Sequence, residues 1–370
     1  MGYERFGAYK VHERLGAGGM ASVHRATIDI GGGVIREVAL KRLLPQLADD
    51  KKFVEDFVRE AKLAAQLHHP NIVRVLELGR QGSVYFIAME LVGGQSLLHL
   101  MKLAHAMRVV APIGVIVAIL AELLDALDYA STAIDDEGEP MAIVHRDLSP
   151  SNLIISDDGH VKIIDFGVAK AVSGKFMTNT GMVKGKLSYM ANETLTGATV
   201  DTRADIFSIG VVAWELITGR RLFKGANEYD VITMVRAGAK EPPSLYNAAC
   251  SPELDEIVMH ALAYSRDDRW PSAAVMRNAL DSVRRIHRDG TPEIATWKRT
   301  LIPETPGTEE TTHMQLSTRD LLAEAAAPIL PAPATSTVTA VEPIDSVDSV
   351  DPESLTDDTT ISPPAPLRDE

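Results

Sequence analysis

A short run of polar residues near the middle of the chain could carry out catalysis. Asp147 and Asn152 stand five residues apart in a proline-containing segment, with His145 and Arg146 directly before Asp147. Apolar runs flank this segment, which predicts a loop between buried elements. Polar groups this close together are costly to bury unless they bind one another or a ligand, so the pattern indicates a functional loop.

A second acidic residue follows an apolar strand. Asp165 comes directly after residues 161–164 and is followed by Phe166 and Gly167. A carboxylate followed closely by a glycine suits a metal ligand at a hinge. Mg²⁺ prefers a few hard oxygen ligands together with phosphate oxygens. Asn152 and Asp165 have the chemistry to supply such ligands.

A glycine-rich turn near the start of the sequence could bind phosphate. Gly16, Gly18 and Gly19 lie between two strand-like segments. Without side chains the backbone can approach a ligand, and its N–H groups can surround phosphate oxygens. Because a strand follows the turn and Gly-Lys-Ser/Thr is absent there, the pattern is neither a Rossmann turn nor a Walker loop. A plain hairpin tip would show the same glycines.

Two charged residues could cooperate with that turn. Lys41 closes an apolar strand, and Glu60 lies in a segment with helical periodicity. Taken alone, Lys41 would be a solvated strand end and Glu60 a surface glutamate. If the two pair in the interior, Glu60 would hold Lys41 extended towards a phosphate.

The pattern of apolar residues predicts two structural parts. Residues 9–91 are predicted to form mainly strands, interrupted by one helix over residues 50–67. Helical patterns dominate from residue 96 onward, and residues 90–94 link the two parts. We therefore expect an α+β architecture with a small β-rich lobe (9–91) and a larger, mainly helical lobe (95–288).

The net charge of −14 is unevenly spread over the 370 residues. Residues 291–370 hold 15 acidic and 4 basic residues, and so contribute −11. This segment is also rich in Pro, Ser and Thr, and we expect it to be a largely disordered acidic tail. The rest of the chain is near neutral, which argues against nucleic-acid binding.

Cysteine usage and hydropathy bear on the cellular compartment. The single cysteine, Cys250, allows no disulfide within the chain, which fits a cytoplasmic protein. The longest apolar run, residues 109–121, contains a proline and is shorter than the ~20 residues that a membrane span needs. We expect a buried helix there and no membrane span.

Together these motifs resemble those of eukaryotic-type (Hanks-type) serine/threonine protein kinases found in bacteria. The resemblance extends to Asp205, which is similar to the structural aspartate of the family. Arg269 is similar to the arginine that pairs with an activation-segment glutamate, here Glu193. The resemblance implies a bilobal protein-kinase fold over residues 9–288, and Mg²⁺-dependent transfer of the γ-phosphoryl group of ATP to Ser or Thr hydroxyls of protein substrates.

The resemblance also implies roles for individual residues. Lys41 would reach the α- and β-phosphates, and Asp147 would accept or orient the proton of the attacking hydroxyl. Asn152 and Asp165 would bind Mg²⁺. The residues implied to bind the nucleotide or to fix its lysine are Leu15, Gly16, Gly18, Gly19, Val23, Ala39, Lys41, Glu60, Met89 as gatekeeper, and the backbone of Glu90 and Val92.

Three departures from the family pattern concern the site. Ala21 replaces the third glycine of the loop, and we expect little effect because alanine is small. Ser149 stands where most serine/threonine kinases carry a lysine that touches the γ-phosphate, and Lys186 stands where they usually carry a threonine facing the same loop. We hypothesise that Lys186 supplies the missing cation as a catalytic residue; the alternative is that it points to solvent. Asn192 replaces the proline of the Ala-Pro-Glu motif, which frees φ and adds an N–H donor.

Arg146, next to the catalytic aspartate, suggests control by phosphorylation. In the family such an arginine usually binds a phosphate on the activation segment, here residues 165–193. Thr178 and Thr180 are the best candidates for autophosphorylation in this segment. Threonines 305–312, in the acidic tail, could be phosphorylated and recruit a phosphothreonine-reading partner. A solubilising linker is an equally good interpretation of the tail.

A catalytically impaired pseudokinase scaffold, binding ATP or partners, is the alternative function. Ser149 and Asn192 favour it. Five residues that are all present argue against it: Lys41, Glu60, Asp147, Asn152 and Asp165. A small-molecule phosphotransferase of kinase-like fold is a weaker alternative, because residues 185–193 resemble the protein-substrate region of protein kinases.

Overall fold

Six antiparallel strands and one helix make up the first part of the molecule. The computed structural model describes residues 3–135, 137–166 and 185–302, which belong to one compact unit of the chain. The strands pair in the order β1-β2-β3-β4-β6-β5. The elements are β1 (Glu4–Phe6), β2 (Tyr9–Ala17), β3 (Ala21–Asp29), β4 (Ile35–Leu43), α1 (Lys51–Gln66), β5 (Val75–Gln81) and β6 (Val84–Glu90).

Helix α1 forms where the apolar periodicity predicts it. The Asp50 side chain caps the helix by accepting a hydrogen bond from the Lys52 N–H (3.0 Å). Phe57 and Ala61 form the buried face and pack against Leu43 of β4. The opposite face is exposed, so the sheet fixes both the position and the rotation of the helix, including the direction of Glu60.

The second part is mainly helical. A small antiparallel sheet, ordered β7-β8-β9, joins it to the first part. The elements are β7 (Gly94–Ser96), α2 (Leu97–Ala106), α3 (Ile113–Thr132), β8 (Leu153–Ser156), β9 (Val161–Ile163), α4 (Asn192–Thr196), α5 (Arg203–Thr218), α6 (Glu228–Ala237), α7 (Pro252–Ala261), α8 (Ala273–Arg284) and α9 (Thr291–Leu301).

Two apolar helices form the centre of this lobe. Helix α3 buries fourteen of its twenty residues, and α5 is buried from Ala204 to Thr218. The apolar run at 109–121 is thus mostly a buried helix, as expected. Among the described residues, we find no helix long and apolar enough to cross a membrane. The predicted α+β bilobal fold is confirmed.

The folded part continues beyond the predicted boundary at residue 290. Residues 291–301, assigned to the acidic tail, form helix α9 instead, and Ile294, Trp297 and Leu301 are buried in the core of the helical lobe. These residues recur three and four apart, as one helix face requires, and Glu293 accepts a hydrogen bond from the Gly290 N–H (2.8 Å). The high content of Pro, Ser and Thr in the residues that follow α9 dominates the composition of residues 291–370, so this short helical pattern does not show in the average.

Candidate active site

The glycine-rich turn connects β2 and β3. The Gly18 N–H donates to the Ala21 carbonyl (2.7 Å), which closes the turn between the strands. The apolar residues predicted to contact the base lie on neighbouring strands of the same sheet: Leu15 on β2, Val23 on β3, Ala39 on β4 and Met89 on β6. Ala39 and Met89 are direct cross-strand partners. The sheet therefore brings the predicted base-binding residues together under the turn.

The link between the lobes, residues 90–94, is tied to elements on both sides. The Glu90 amide donates to the Arg74 carbonyl (2.9 Å), and its carboxylate binds Lys162 Nζ on β9 (2.7 Å). The Gly93 carbonyl accepts a hydrogen bond from the Asp157 N–H (2.9 Å). These contacts fix the backbone on which Val92 is carried.

Lys41 lies between two carboxylates. Its Nζ is 2.8 Å from Glu60 Oε1 and 2.7 Å from Asp165 Oδ1. Burial alone would lower the pKa of Lys41, but the charges of Asp165 and Glu60 outweigh it and raise the pKa. Burial likewise opposes ionisation of Asp165, yet Lys41 lowers its pKa. The pair of Lys41 and Asp165 therefore favours its charged form, and neither Lys41 nor Glu60 is the solvated side chain expected of it in isolation.

The loop that carries Asp147 is held through its backbone. Asp205, buried at the start of α5, accepts hydrogen bonds from the N–H groups of His145 (2.7 Å) and Arg146 (2.9 Å). Burial raises the pKa of Asp205 to about 6. These bonds hold Arg146 at φ 63°, in the left-handed region, and Asp165 is held at φ 56°. Strained backbone of this kind persists where the surroundings enforce it, and it gathers at functional sites.

Asp147, Asn152 and Lys186 form one hydrogen-bonded cluster. Asn152 Nδ2 donates to the backbone carbonyl of Asp147 (2.8 Å) and to its Oδ2 (3.1 Å). Lys186 Nζ lies 2.7 Å from Asp147 Oδ2 and 3.2 Å from Asn152 Oδ1. Ser149 is buried, with its hydroxyl 2.9 Å from that of Ser151. The Lys186 side chain thus points into the loop rather than to solvent.

A buried network fixes the backbone of Lys186. The lysine precedes a 3-10 turn, Leu187–Tyr189, and its carbonyl accepts a hydrogen bond from the Tyr189 N–H (3.0 Å). The Tyr189 hydroxyl donates to Glu215 on α5 (2.7 Å), and Arg221 contacts both groups. Glu215 was not among the residues predicted to form the site, although a lone acidic residue inside an apolar helix is a signal for such a network.

The expected pair of Glu193 and Arg269 is present. The two terminal guanidinium nitrogens of Arg269, Nη1 and Nη2, donate to the Glu193 carboxylate at 2.6 and 3.0 Å, and Arg269 also donates to three backbone carbonyls. Asn192 begins α4 beside this pair, and its Oδ1 is buried without a hydrogen-bond partner among the described residues. The ion pair of Glu193 and Arg269 is therefore intact, although Asn192 stands where the family has proline.

The oxygen atoms near Asp147 fit a magnesium ion. Because the amide nitrogen of Asn152 is bonded to Asp147, its Oδ1 is turned the other way, towards Lys186. Asp165 adds a carboxylate that Lys41 keeps ionised. Amide and carboxylate oxygens are the hard ligands that Mg²⁺ takes beside phosphate oxygens. The candidate phosphorylation sites Thr178 and Thr180 lie outside the described residues.

Comparison with known proteins agrees with this geometry. The family described as "Protein kinase domain" matches residues 9–280. The tyrosine-protein kinase MasK of Myxococcus xanthus is 39% identical over 285 residues, covering 77% of this chain and 44% of MasK. The serine/threonine-protein kinase PknB of Mycolicibacterium smegmatis is 36% identical over 294 residues, covering 78% of this chain and 45% of PknB.

Solved structures give the same answer. The PknI kinase domain of Mycobacterium tuberculosis superposes with a TM-score of 0.56 at 28% sequence identity, covering 76% of this chain and 98% of that one. The present chain spans less than half the length of the curated relatives it matches. The resemblance drawn from the motifs is confirmed: the chain belongs to the protein kinase family, with bacterial Hanks-type kinases among its relatives.

Proposed function

We propose that this chain is an active, Mg²⁺-dependent protein kinase that transfers the γ-phosphoryl group of ATP to Ser or Thr hydroxyls of proteins. The observation that carries the proposal is the complete pair of polar clusters, Lys41–Glu60–Asp165 and Asp147–Asn152–Lys186, each joined by hydrogen bonds of 3.2 Å or less. Phosphoryl transfer depends mainly on positioning and charge stabilisation, and these clusters supply both.

The first cluster positions the nucleotide. Glu60 and Asp165 hold the Lys41 ammonium in a fixed direction, from which it can contact the phosphates of ATP. The apolar strand residues beneath the glycine turn would enclose the adenine ring. Asn152 Oδ1 and Asp165 would hold the Mg²⁺ ion, which supplies neutralisation of phosphate charge when bound.

The second cluster acts on the attacking hydroxyl. Asp147 Oδ2 would accept or orient the proton of a substrate Ser or Thr. Lys186 has three N–H donors; two are directed at Asp147 and Asn152, and the third can reach a phosphoryl oxygen. A cation placed there stabilises the negative charge that develops during transfer. We assign Lys186 this catalytic role.

The acceptor residue is part of the proposal, since MasK is named a tyrosine-protein kinase whereas PknB is named a serine/threonine-protein kinase. We favour Ser and Thr, in line with PknB. We further propose protein substrates, a cytoplasmic location and recruitment of a phosphothreonine-reading partner by the tail. We also propose autophosphorylation at Thr178 and Thr180, with Arg146 binding the phosphate that is added.

A labelling experiment tests these proposals directly. Wild type and Asp147→Asn are incubated with Mg²⁺ and γ-labelled ATP, and a generic protein substrate is added to part of each sample. We expect label on the wild type alone, on Ser and Thr by phosphoamino-acid analysis, with mapped sites that include Thr178 or Thr180. Label on Tyr would move the specificity to that of a tyrosine kinase.

The same experiment tests the alternative function. Wild-type protein that binds MgATP but labels neither itself nor the generic substrate would refute the kinase proposal. Such a result would support the pseudokinase scaffold, with Ser149 and Asn192 as the first residues to revert.

A further inference from the structure

Helix α9 lies outside the span matched by the kinase family, yet it contacts the end of β8 and the turn between β8 and β9. The family match ends at residue 280, and α9 begins at Thr291. Its buried face packs against the core of the helical lobe. Among the described residues, the hydrogen bonds that leave α9 reach the end of β8 and the first residue of the turn that follows it.

Lys298 makes the first of these contacts from a buried position. The residue is 7% exposed, and its Nζ binds the Ser156 carbonyl (3.2 Å) and the Asp157 carboxylate. A lysine is seldom buried so deeply unless it is paired. An apolar side chain of similar length could cover the same surface at little cost, so packing alone does not account for a lysine here.

Asp157 relays the contact to the link between the lobes. The Asp157 N–H donates to the Gly93 carbonyl (2.9 Å), within the 90–94 segment. A Cβ atom on Gly93 would lie 2.7 Å from Asp157 Oδ2, so a side chain there would displace the carboxylate that Lys298 binds. The residues Lys298, Asp157 and Gly93 therefore form a continuous path from α9 to the link.

The backbone of the turn is pressed against the helix as well. Gly159 has φ +93°, and a Cβ atom built on it would lie 1.9 Å from the Thr291 carbonyl oxygen. Any other residue at this position would push the turn away from α9. Two independent contacts, one at each end of the helix, thus hold the β8–β9 turn in place.

We infer that α9 braces the link between the lobes through Lys298 and Asp157, and that Lys298 is a positioning residue for nucleotide binding. The inference rests on the proposed function, in which the backbone of residues 90–92 contacts the adenine ring. A braced link is ordered before the nucleotide arrives, so less conformational entropy is lost on binding.

The experiment measures MgADP affinity by titration calorimetry for Lys298→Met, Lys298→Arg and Asp157→Asn. Arg299→Met, on the exposed face of the same helix, is the matched control. Lys298→Met should fold, because the Asp157 side chain is 68% exposed and the substitution leaves no buried charge without a partner. Asp157→Asn tests the same contact from its exposed side.

We expect Lys298→Met and Asp157→Asn to weaken MgADP binding about fivefold, the lower end of the range for coupled sites. The KM for ATP should rise in parallel with kcat unchanged, whereas Lys298→Arg should recover most of the affinity and Arg299→Met should have no effect. Wild-type affinity in both Lys298→Met and Asp157→Asn, even with a lower Tm, would show that α9 only stabilises the fold and would overturn the inference. If the wild type itself bound no MgADP, the proposed function would fail and this inference with it.

Discussion

The position of Lys186 makes a quantitative prediction about catalysis. In Lys186→Met the aliphatic stem is kept and the ammonium is lost, so the effect reports on charge. Lys186 Nζ now stands within 3.2 Å of both Asp147 and Asn152, the residues proposed to handle the attacking hydroxyl and the metal. The substitution removes a cation from the place where we propose that phosphoryl charge develops.

The size of the effect follows from the exposure of the side chain. Two unit charges 4 Å apart interact by about 4 kcal/mol at the effective dielectric of a protein surface and by about 1 kcal/mol in water. The Lys186 side chain is 28% exposed, so the interaction energy of its charge should lie between the value for a protein surface and the value for water. We therefore expect a loss of about 2–3 kcal/mol in the transition state, or about 30- to 160-fold in kcat.

Charge relocation makes the test specific. Initial rates at saturating MgATP are measured with a generic protein substrate for Lys186→Thr, Ser149→Lys and the double variant. Lys186→Thr should be as slow as Lys186→Met, and Ser149→Lys alone should change little. The double variant should recover most of the rate, because a lysine at position 149 supplies the cation that position 186 has lost. Lys240→Met, an exposed lysine after α6, is the control for loss of charge in general.

Two results would refute this reasoning. The first is a kcat for Lys186→Met close to that of the wild type, in a preparation where Lys41→Ala is inactive. The second is a double variant no faster than Lys186→Thr, since a cation that acts by its position should be replaceable from residue 149.

Three further predictions concern stability. Arg269→Ala should lower the unfolding free energy by about 3–5 kcal/mol, because it leaves the buried Glu193 carboxylate without its guanidinium; urea denaturation measures this, and a loss below 1 kcal/mol would contradict it. Ending the chain after Gly290 should cost about 5 kcal/mol through loss of the three large apolar side chains of α9, seen as a lower Tm by calorimetry; an unchanged Tm would show that α9 does not stabilise the domain. Asp205 has a folded pKa of about 6, above its ordinary value of 3.8, so its contribution to stability is complete below about pH 4 and is lost as the pH rises through about 6. Asp205→Asn should flatten the Tm profile over that range, and a profile of unchanged slope would assign the effect to other groups.

Much of this architecture could be predicted from local patterns. The strands flanking the glycine turn and helix α1 follow from apolar periodicity, since each buries one face against a neighbour. The polar residues of the site stood out because they interrupt apolar runs. Their roles came from the family resemblance, and the distances now show which of them meet.

Other features depend on contacts that no local pattern contains. The direction of Lys186 depends on Tyr189 and on Glu215, which are 3 and 29 residues further along the chain. Helix α9 was missed because its apolar face spans 11 residues, whereas the composition was averaged over 80. Pairings across long separations and short amphipathic segments both require the folded chain to be seen.

The way in which Asp205 holds the catalytic loop has an evolutionary consequence. The carboxylate accepts hydrogen bonds from the backbone N–H groups of residues 145 and 146. Every residue except proline has such an N–H group, so these bonds do not depend on the side chain. The loop would therefore keep its shape if Arg146 were exchanged, and a single codon change could separate the proposed phosphorylation-dependent control from the proposed catalysis. The left-handed backbone limits which residue types could replace Arg146, because glycine, asparagine and aspartate tolerate φ 63° better than branched residues do. Selection could thus adjust the proposed regulation at Arg146 without rebuilding the loop around it.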